Sequence, residues 1–240
     1  MQLSISPKQV DLATACCIHY QLHPGMLVRY IKRKYLGENR DAEPILCEVS
    51  PHISCEDATH IKRILTQGCP SYIDFEEESK NKLAVIRKGN QHTFLQYPEV
   101  TAKAMNKEEK NSHVLPLKHW TVHFSPWLQV TPQGVRKKYN KFRIIFDSST
   151  QTSPDKAVLN HVTTTNLEAN INFGRAKTNL FINIYNWRVS YPNEIIYLTL
   201  ADITACFRFL RISADVTGAF GFMAEVYYFL SIIHVFGSNT

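Results

Sequence analysis

The sequence lacks a long apolar segment. Its longest apolar stretch, residues 227–236, is interrupted by Ser231 and His234 and is far shorter than the roughly 20 residues that a membrane-spanning helix requires. The N-terminal residues MQLSISPKQV also lack the apolar core of a signal peptide. We therefore expect no transmembrane segment, no membrane partner and no secretion, and we expect a cytoplasmic or nuclear location.

Cysteine spacing typical of metal-binding fingers is also absent. The six cysteines lie at positions 16, 17, 47, 55, 69 and 206. Without a secretory signal, they are most simply interpreted as reduced thiols. Cys16, His19 and His23 share one face of the first predicted helix, but three loosely placed ligands favour ordinary core and surface positions over a metal site.

The composition is compatible with a folded protein that binds nucleic acid, but it does not by itself indicate that function. A length of 240 residues and a hydrophobic content of 44% are enough for one or two domains with a core. We find no internal repeat. The formal net charge of +6 is compatible with a nucleic-acid partner.

Residues 1–110 are predicted to form a helical N-terminal region. Ser6 followed by Pro7 is typical of a helix start. A later helix begins at Ser54 and ends at Gly68, because a polar cap and a terminal glycine bound its apolar pattern. This helix is expected to bury Ala58, Ile61 and Leu65.

A basic segment in the second half predicts a β-hairpin. One strand starts at Val130, the return strand spans 142–147, and Tyr139 with Asn140 occupies the turn because Asn tolerates positive φ. Five cations fall within eight residues, at Arg136, Lys137, Lys138, Lys141 and Arg143. A merely solubilising edge is one interpretation. Since the cations alternate with strand residues, we favour a hairpin that faces phosphate groups.

An acid-bearing strand is predicted farther along. The β-branched and aromatic residues 195–200 favour a strand that carries Asp202 to its end, where a half-buried carboxylate needs a cation or another partner. Between the hairpin and this strand, residues 175–188 are predicted to be an amphipathic helix packed under the sheet. The apolar residues at helical spacing are Phe173, Ala176, Leu180, Ile184 and Trp187. The order of elements is an α+β arrangement.

Two segments resemble conserved regions of reverse transcriptases. KFRIIFD, residues 141–147, is similar to the fingers segment, in which a lysine-rich hairpin precedes an aromatic, an arginine and an aliphatic strand ending in Asp. Asp202 to Phe207 is similar to the first catalytic segment of the palm. Where the family places an aromatic and an arginine after the fingers Asp, this chain has Ser148 and Ser149.

Weaker matches follow the same order. Leu159 with Asn160 matches a pair found after the fingers hairpin, and Phe236 with Gly237 matches a later signature in which proline is replaced here by Val235. The resemblance covers residues 111–240. It implies a polymerase fingers β-hairpin and a partial palm sheet with packed helices, from an RNA-directed DNA polymerase of a retroelement.

The resemblance also implies roles for single residues. Arg143, together with Lys137 of the hairpin, would contact the triphosphate of an incoming deoxynucleoside triphosphate. Phe207 would lie under the sugar and exclude ribonucleotides, although an ordinary core position fits it equally well. The other hairpin cations, Arg136, Lys138 and Lys141, are assigned to the RNA or DNA template-primer.

The expected metal site is incomplete in this sequence. Two magnesium ions about 3.5–4 Å apart would activate the primer hydroxyl and neutralise the leaving group, and Mg²⁺ prefers oxygen ligands. Asp202 and the main-chain carbonyl of Ile203 are the candidate ligands. Reverse transcriptases add paired aspartates in a later hairpin, but only Asp215 and Glu225 follow Asp202 here. We therefore expect a fragment, accompanied by the remainder of a polyprotein, that has no catalytic activity alone.

Two alternatives remain open from the sequence. The first is a noncatalytic nucleic-acid-binding module that uses the same basic hairpin. The second is a decayed reading frame without a selected function.

Overall fold

The computed structural model describes residues 3–34, 46–47, 51, 53–69, 75–139, 141–150, 175–197 and 211–233. The helices are α1 (Pro7–His19), α2 (Pro24–Lys34), α3 (Cys55–Gln67), α4 (Phe75–Lys88), α5 (His92–Gln96), α6 (Pro98–Lys110), α7 (Thr121–Phe124) and α8 (Ala176–Ser190), with a 3-10 helix at Thr217–Ala219. The strands are β1 (Val114–Lys118), β2 (Gln133–Lys138), β3 (Lys141–Phe146), β4 (Gly221–Ala224) and β5 (Tyr227–Ser231). Helices combined with small antiparallel sheets confirm the α+β class at this coarse level.

A three-stranded antiparallel sheet has the strand order β1-β5-β4. Its middle strand, β5, is apolar at consecutive positions because both of its faces are buried. Tyr228 and Leu230 join a core cluster on one face, and Phe229 joins a second cluster on the other. The ring of Phe229 stacks on that of Phe222 in β4, with 5.1 Å between the centroids.

Helices supply the other half of each core cluster. The first cluster joins α1 and α2 to β1 and β5, and its fully buried members include Cys17, Leu27, Leu117 and Tyr228. The second joins α5 and α6 to β4, β5 and the base of β2, and includes Phe94, Met105, Val135, Phe222 and Phe229. Helices of the first 110 residues and strands of the later part therefore share their cores.

The caps predicted for α3 are confirmed, but its predicted burial is wrong. The Ser54 hydroxyl accepts a hydrogen bond from the Asp57 amide at 3.0 Å, and Gly68 ends the helix with φ 95°. None of the helical residues is buried, and the three expected to be so are only half-buried, namely Ala58, Ile61 and Leu65. A backbone hydrogen bond joins the end of this helix to the segment before the 3-10 helix, where the Cys69 amide donates to the Arg211 carbonyl at 2.8 Å. Contact at one end leaves the apolar side of the helix partly open.

Residues Thr165–Ala205 form a compact unit of their own. The helix predicted at 175–188 exists as α8, but the prediction that an apolar stripe of it is buried is wrong, since Leu180 is 50% and Trp187 is 62% exposed. The reason is visible in the sequence LFINIYNWRV, which places apolar residues on every side of the helix instead of on one stripe.

The strand predicted at 195–200 is wrong for its first three residues. Residues 195–197 have no regular secondary structure, and Ile195 and Tyr197 are 72% and 83% exposed. After α8 the chain enters a turn in which Arg188 donates from Nη1 to the Pro192 and Glu194 carbonyls. β propensity is realised only against a pairing partner, and in the part of the chain that the structure describes these residues have none. Residues 198–200 lie outside the described residues.

No helix among the described residues is long and apolar enough to span a bilayer. The cysteines that the structure describes are all free thiols: Cys16, Cys17, Cys47, Cys55 and Cys69. Burial raises the pKa of Cys17 to about 11, with a smaller contribution from Cys16, so its thiol stays protonated.

Candidate nucleic-acid-binding hairpin

The predicted basic hairpin is present in the structure, but its first strand begins at Gln133 instead of Val130, and its return strand spans Lys141–Phe146 instead of 142–147. β2 and β3 pair antiparallel from Gln133 opposite Phe146 to Lys138 opposite Lys141, which leaves a two-residue turn. The half of β2 near the core is buried, whereas its last three residues and the first three of β3 are exposed. The hairpin therefore has an anchored base and an exposed tip.

Strand alternation sorts the cations onto two faces. Side chains one residue apart point to opposite faces, and residues paired across the strands share a face. Arg136 is paired with Arg143 and Lys138 with Lys141, so these four side chains lie on one face. All four are exposed, and we call them the basic face.

The basic face places like charges directly opposite each other across the two strands. Directly paired side chains in an antiparallel sheet have Cβ atoms about 4.5–5.5 Å apart, and like charges there destabilise the pair. Two unit charges in water repel by about 0.8 kcal/mol when they are about 5 Å apart, and by less when long side chains carry them farther apart. Among the described residues, no carboxylate forms an ion pair with any of the four. The hairpin thus carries two repulsive pairs that its own fold does not compensate.

Lys137 lies on the other face. Its ammonium is 5.5 Å from the ring centroid of Phe142, its cross-strand partner, and that ring is 5.0 Å from the ring of Tyr97, the residue that precedes α6. The contact is a cation–π interaction. The structure therefore does not bring Lys137 and Arg143, both predicted to contact a triphosphate, together on one face. The sequence contained the signal: a turn at positions 139 and 140 gives these residues opposite parity.

Tyr139 forms the tip of the hairpin, as predicted, but with a conformation that the sequence reasoning did not foresee. It has φ 54°, in the left-handed region, and its side chain is 86% exposed. Two-residue turns of this kind usually place Asn, Asp or Gly at positive φ. Lys138 lies with its ammonium 6.0 Å from the Tyr139 ring. Asn140, which was expected to take the positive φ, lies outside the described residues.

The base of the hairpin is held by a polar contact that the sequence reasoning missed. The Asp147 carboxylate accepts hydrogen bonds from Gln91 Nε2 and Thr150 Oγ1, each at 2.6 Å. A Cβ atom on Gly134 would lie 2.2 Å from Gln91 Oε1, so a larger residue there would displace the end of this side chain. The strand-ending Asp147 therefore anchors the hairpin. Gln91 precedes it by more than fifty positions, and no local pattern could have indicated the contact.

The predicted catalytic residues Asp202, Ile203 and Phe207 lie outside the described residues. Within the described ranges, no group of three or more His, Cys, Asp or Glu side chains could hold a metal ion. Asp215, one of the two later acids, forms an ion pair with Arg29.

No protein-family model, curated protein or solved structure matches this chain. The functional interpretation therefore depends on the geometry of the hairpin and on the sequence resemblance.

Proposed function

We propose that this chain carries the fingers hairpin and an incomplete palm of a retroelement reverse transcriptase, and that the basic face holds the phosphates of a template-primer. One observation supports the proposal most. In each of two cross-strand pairs on an exposed surface, a cation lies directly opposite another cation, and no carboxylate among the described residues compensates them. A fold gains nothing from such pairs. A bound polyanion would offset both repulsions, because its phosphates attract all four cations.

The arrangement suits a phosphate backbone. The two cross-strand pairs are two residues apart along each strand, about 6.8 Å, and successive phosphates rise about 3.4 Å along a nucleic-acid strand. The basic face is therefore long enough to contact more than one phosphate. Arg136 and Arg143 offer planar pairs of donors to phosphate oxygens, whereas Lys138 and Lys141 add flexible point charges.

The nucleotide-binding part of the proposal rests on the resemblance. The resemblance assigns the triphosphate contact to Arg143 and Lys137 and places Phe207 under the sugar. Of the two cations, only Arg143 lies on the basic face, so we propose that it makes this contact from there. In the full-length enzyme, Asp202 and the carbonyl of Ile203 would hold magnesium, which would activate the primer hydroxyl and neutralise the leaving group. We place this enzyme in the cytoplasm or nucleus, as part of a polyprotein.

A noncatalytic nucleic-acid-binding module is the second candidate. The observation in its favour is that the basic face is complete within β2 and β3, so binding needs no residue from the acid-bearing segment. The two functions differ in what they require of Asp202.

Nucleotide binding separates the two. A reverse transcriptase fragment is expected to bind a deoxynucleoside triphosphate in a magnesium-dependent manner, measured by titration calorimetry, and Asp202→Asn should abolish the magnesium dependence. Asp215→Asn is the matched control, because it removes one acid that pairs with an exposed arginine instead. Arg143→Ala should weaken the same binding, and Lys103→Ala, on the exposed side of α6, should not. Nucleic-acid binding that is indifferent to Asp202→Asn, without nucleotide binding, would assign the module instead.

A further inference from the structure

We infer that Tyr139 stacks on an unpaired base, so that the tip of the hairpin selects single-stranded over double-stranded nucleic acid. The inference rests on the proposed binding of nucleic acid by the basic face and names the class of ligand that this face takes.

Folding does not explain Tyr139. It is the most exposed of the large hydrophobic side chains that the structure describes, at 86%, so no core requires it. Its φ of 54° is costly for a side chain of this size, by roughly 1–2 kcal/mol, whereas Asn or Gly would adopt it readily. The ammonium of Lys138 lies 6.0 Å from the centroid of its ring. An aromatic ring held outward at this cost is suited to an external partner.

The position of the ring indicates which partner. Tyr139 directly follows Lys138 and lies in the turn that ends at Lys141, so the ring adjoins one end of the basic face. A strand whose phosphates lie on that face can place a base against the ring. The bases of a duplex are already paired and stacked, whereas each base of a single strand offers a free ring face. Cations beside an aromatic platform are the usual combination in sequence-tolerant single-strand binding.

The experiment compares two probes on three variants. Fluorescence anisotropy would give the affinity of the full chain for a labelled oligothymidylate and for a duplex of equal length. Tyr139→Ala is expected to weaken single-strand binding by about 5- to 150-fold, the loss found for one stacked base. Tyr139→Phe should keep the affinity, because the ring remains. Tyr139→Asn should lose single-strand affinity to the same extent as Tyr139→Ala. Its melting temperature should equal or exceed that of the unaltered chain, because Asn suits the positive φ.

Each outcome of this experiment either supports or overturns base stacking by Tyr139. Duplex affinity that changes less than about twofold while single-strand affinity falls supports stacking. Two results would overturn the inference and leave the proposed function intact. One is an equal loss of affinity for both probes. The other is unchanged binding by Tyr139→Asn, while the double change of Arg136 and Arg143 to Ala weakens binding. If the unaltered chain binds neither probe, the proposed function is itself wrong.

Discussion

Reversing one charge of the basic face should stabilise the protein while it abolishes nucleic-acid binding. Arg143→Glu places a carboxylate directly opposite Arg136. The change removes a repulsion of at most about 0.8 kcal/mol, the value for charges about 5 Å apart, and adds an attraction of at most the same size. Screening at physiological salt, with a Debye length of about 8 Å, reduces this sum to about 1 kcal/mol.

Urea unfolding at low and high salt measures this gain. The midpoint should rise for Arg143→Glu at low salt, and the rise should shrink at 1 M salt, where the Debye length is about 3 Å. Lys103→Glu changes the net charge equally on an exposed helix face beside Glu99 and should bring no gain. A lower midpoint for Arg143→Glu, or an equal rise in the control, would refute the reasoning that the facing cations are a cost of function.

Three further predictions concern the base of the hairpin, a buried lysine and catalysis. Gly134→Ala should displace the Gln91 side chain from the Asp147 carboxylate and cost about 1.5–3 kcal/mol of unfolding free energy. In a Gln91→Ala background the same change should cost nothing, and strictly additive effects in the double-mutant cycle would contradict the clash. Lys82 is buried and donates to the Ser125 carbonyl at 2.6 Å, and desolvation lowers its pKa. As the pH approaches about 10.4, the unfolded chain therefore binds more protons than the folded protein, so the unfolding free energy should rise with pH there. Lys82→Met should remove this rise. A variant with the same pH profile as the unaltered chain would show that Lys82 does not cause the rise. The chain alone should fail to extend a primer on a homopolymer template with magnesium, and processive synthesis would show that the catalytic site is complete.

Features that depend on neighbours in the sequence were predictable. The turn and the alternation of β2 and β3 are local, as are the caps of α3 at Ser54 and Gly68. The facing pairs on the basic face follow from the turn position alone, since a two-residue turn fixes the register.

Features that depend on distant residues were not predictable. The contact of Gln91 with Asp147 joins separate segments. The strand expected at 195–200 had the right composition, but its first three residues lack a pairing partner within the described chain. The apolar residues of α8 have the spacing of one buried stripe, but apolar residues surround the whole helix and leave it exposed. Composition therefore indicated the helical type of α8 but not its exposure.

The salt dependence of nucleic-acid binding tests the central claim most directly. Each phosphate contact on a single strand adds about 0.7 to the slope of log affinity against log salt concentration. Changing both Arg136 and Arg143 to Ala should therefore reduce the magnitude of this slope for oligothymidylate by about 1.4. Changing Lys103 and Lys107 to Ala, which removes two exposed cations of α6, should leave the slope unchanged. An equal slope for the hairpin variant and the unaltered chain would contradict the account.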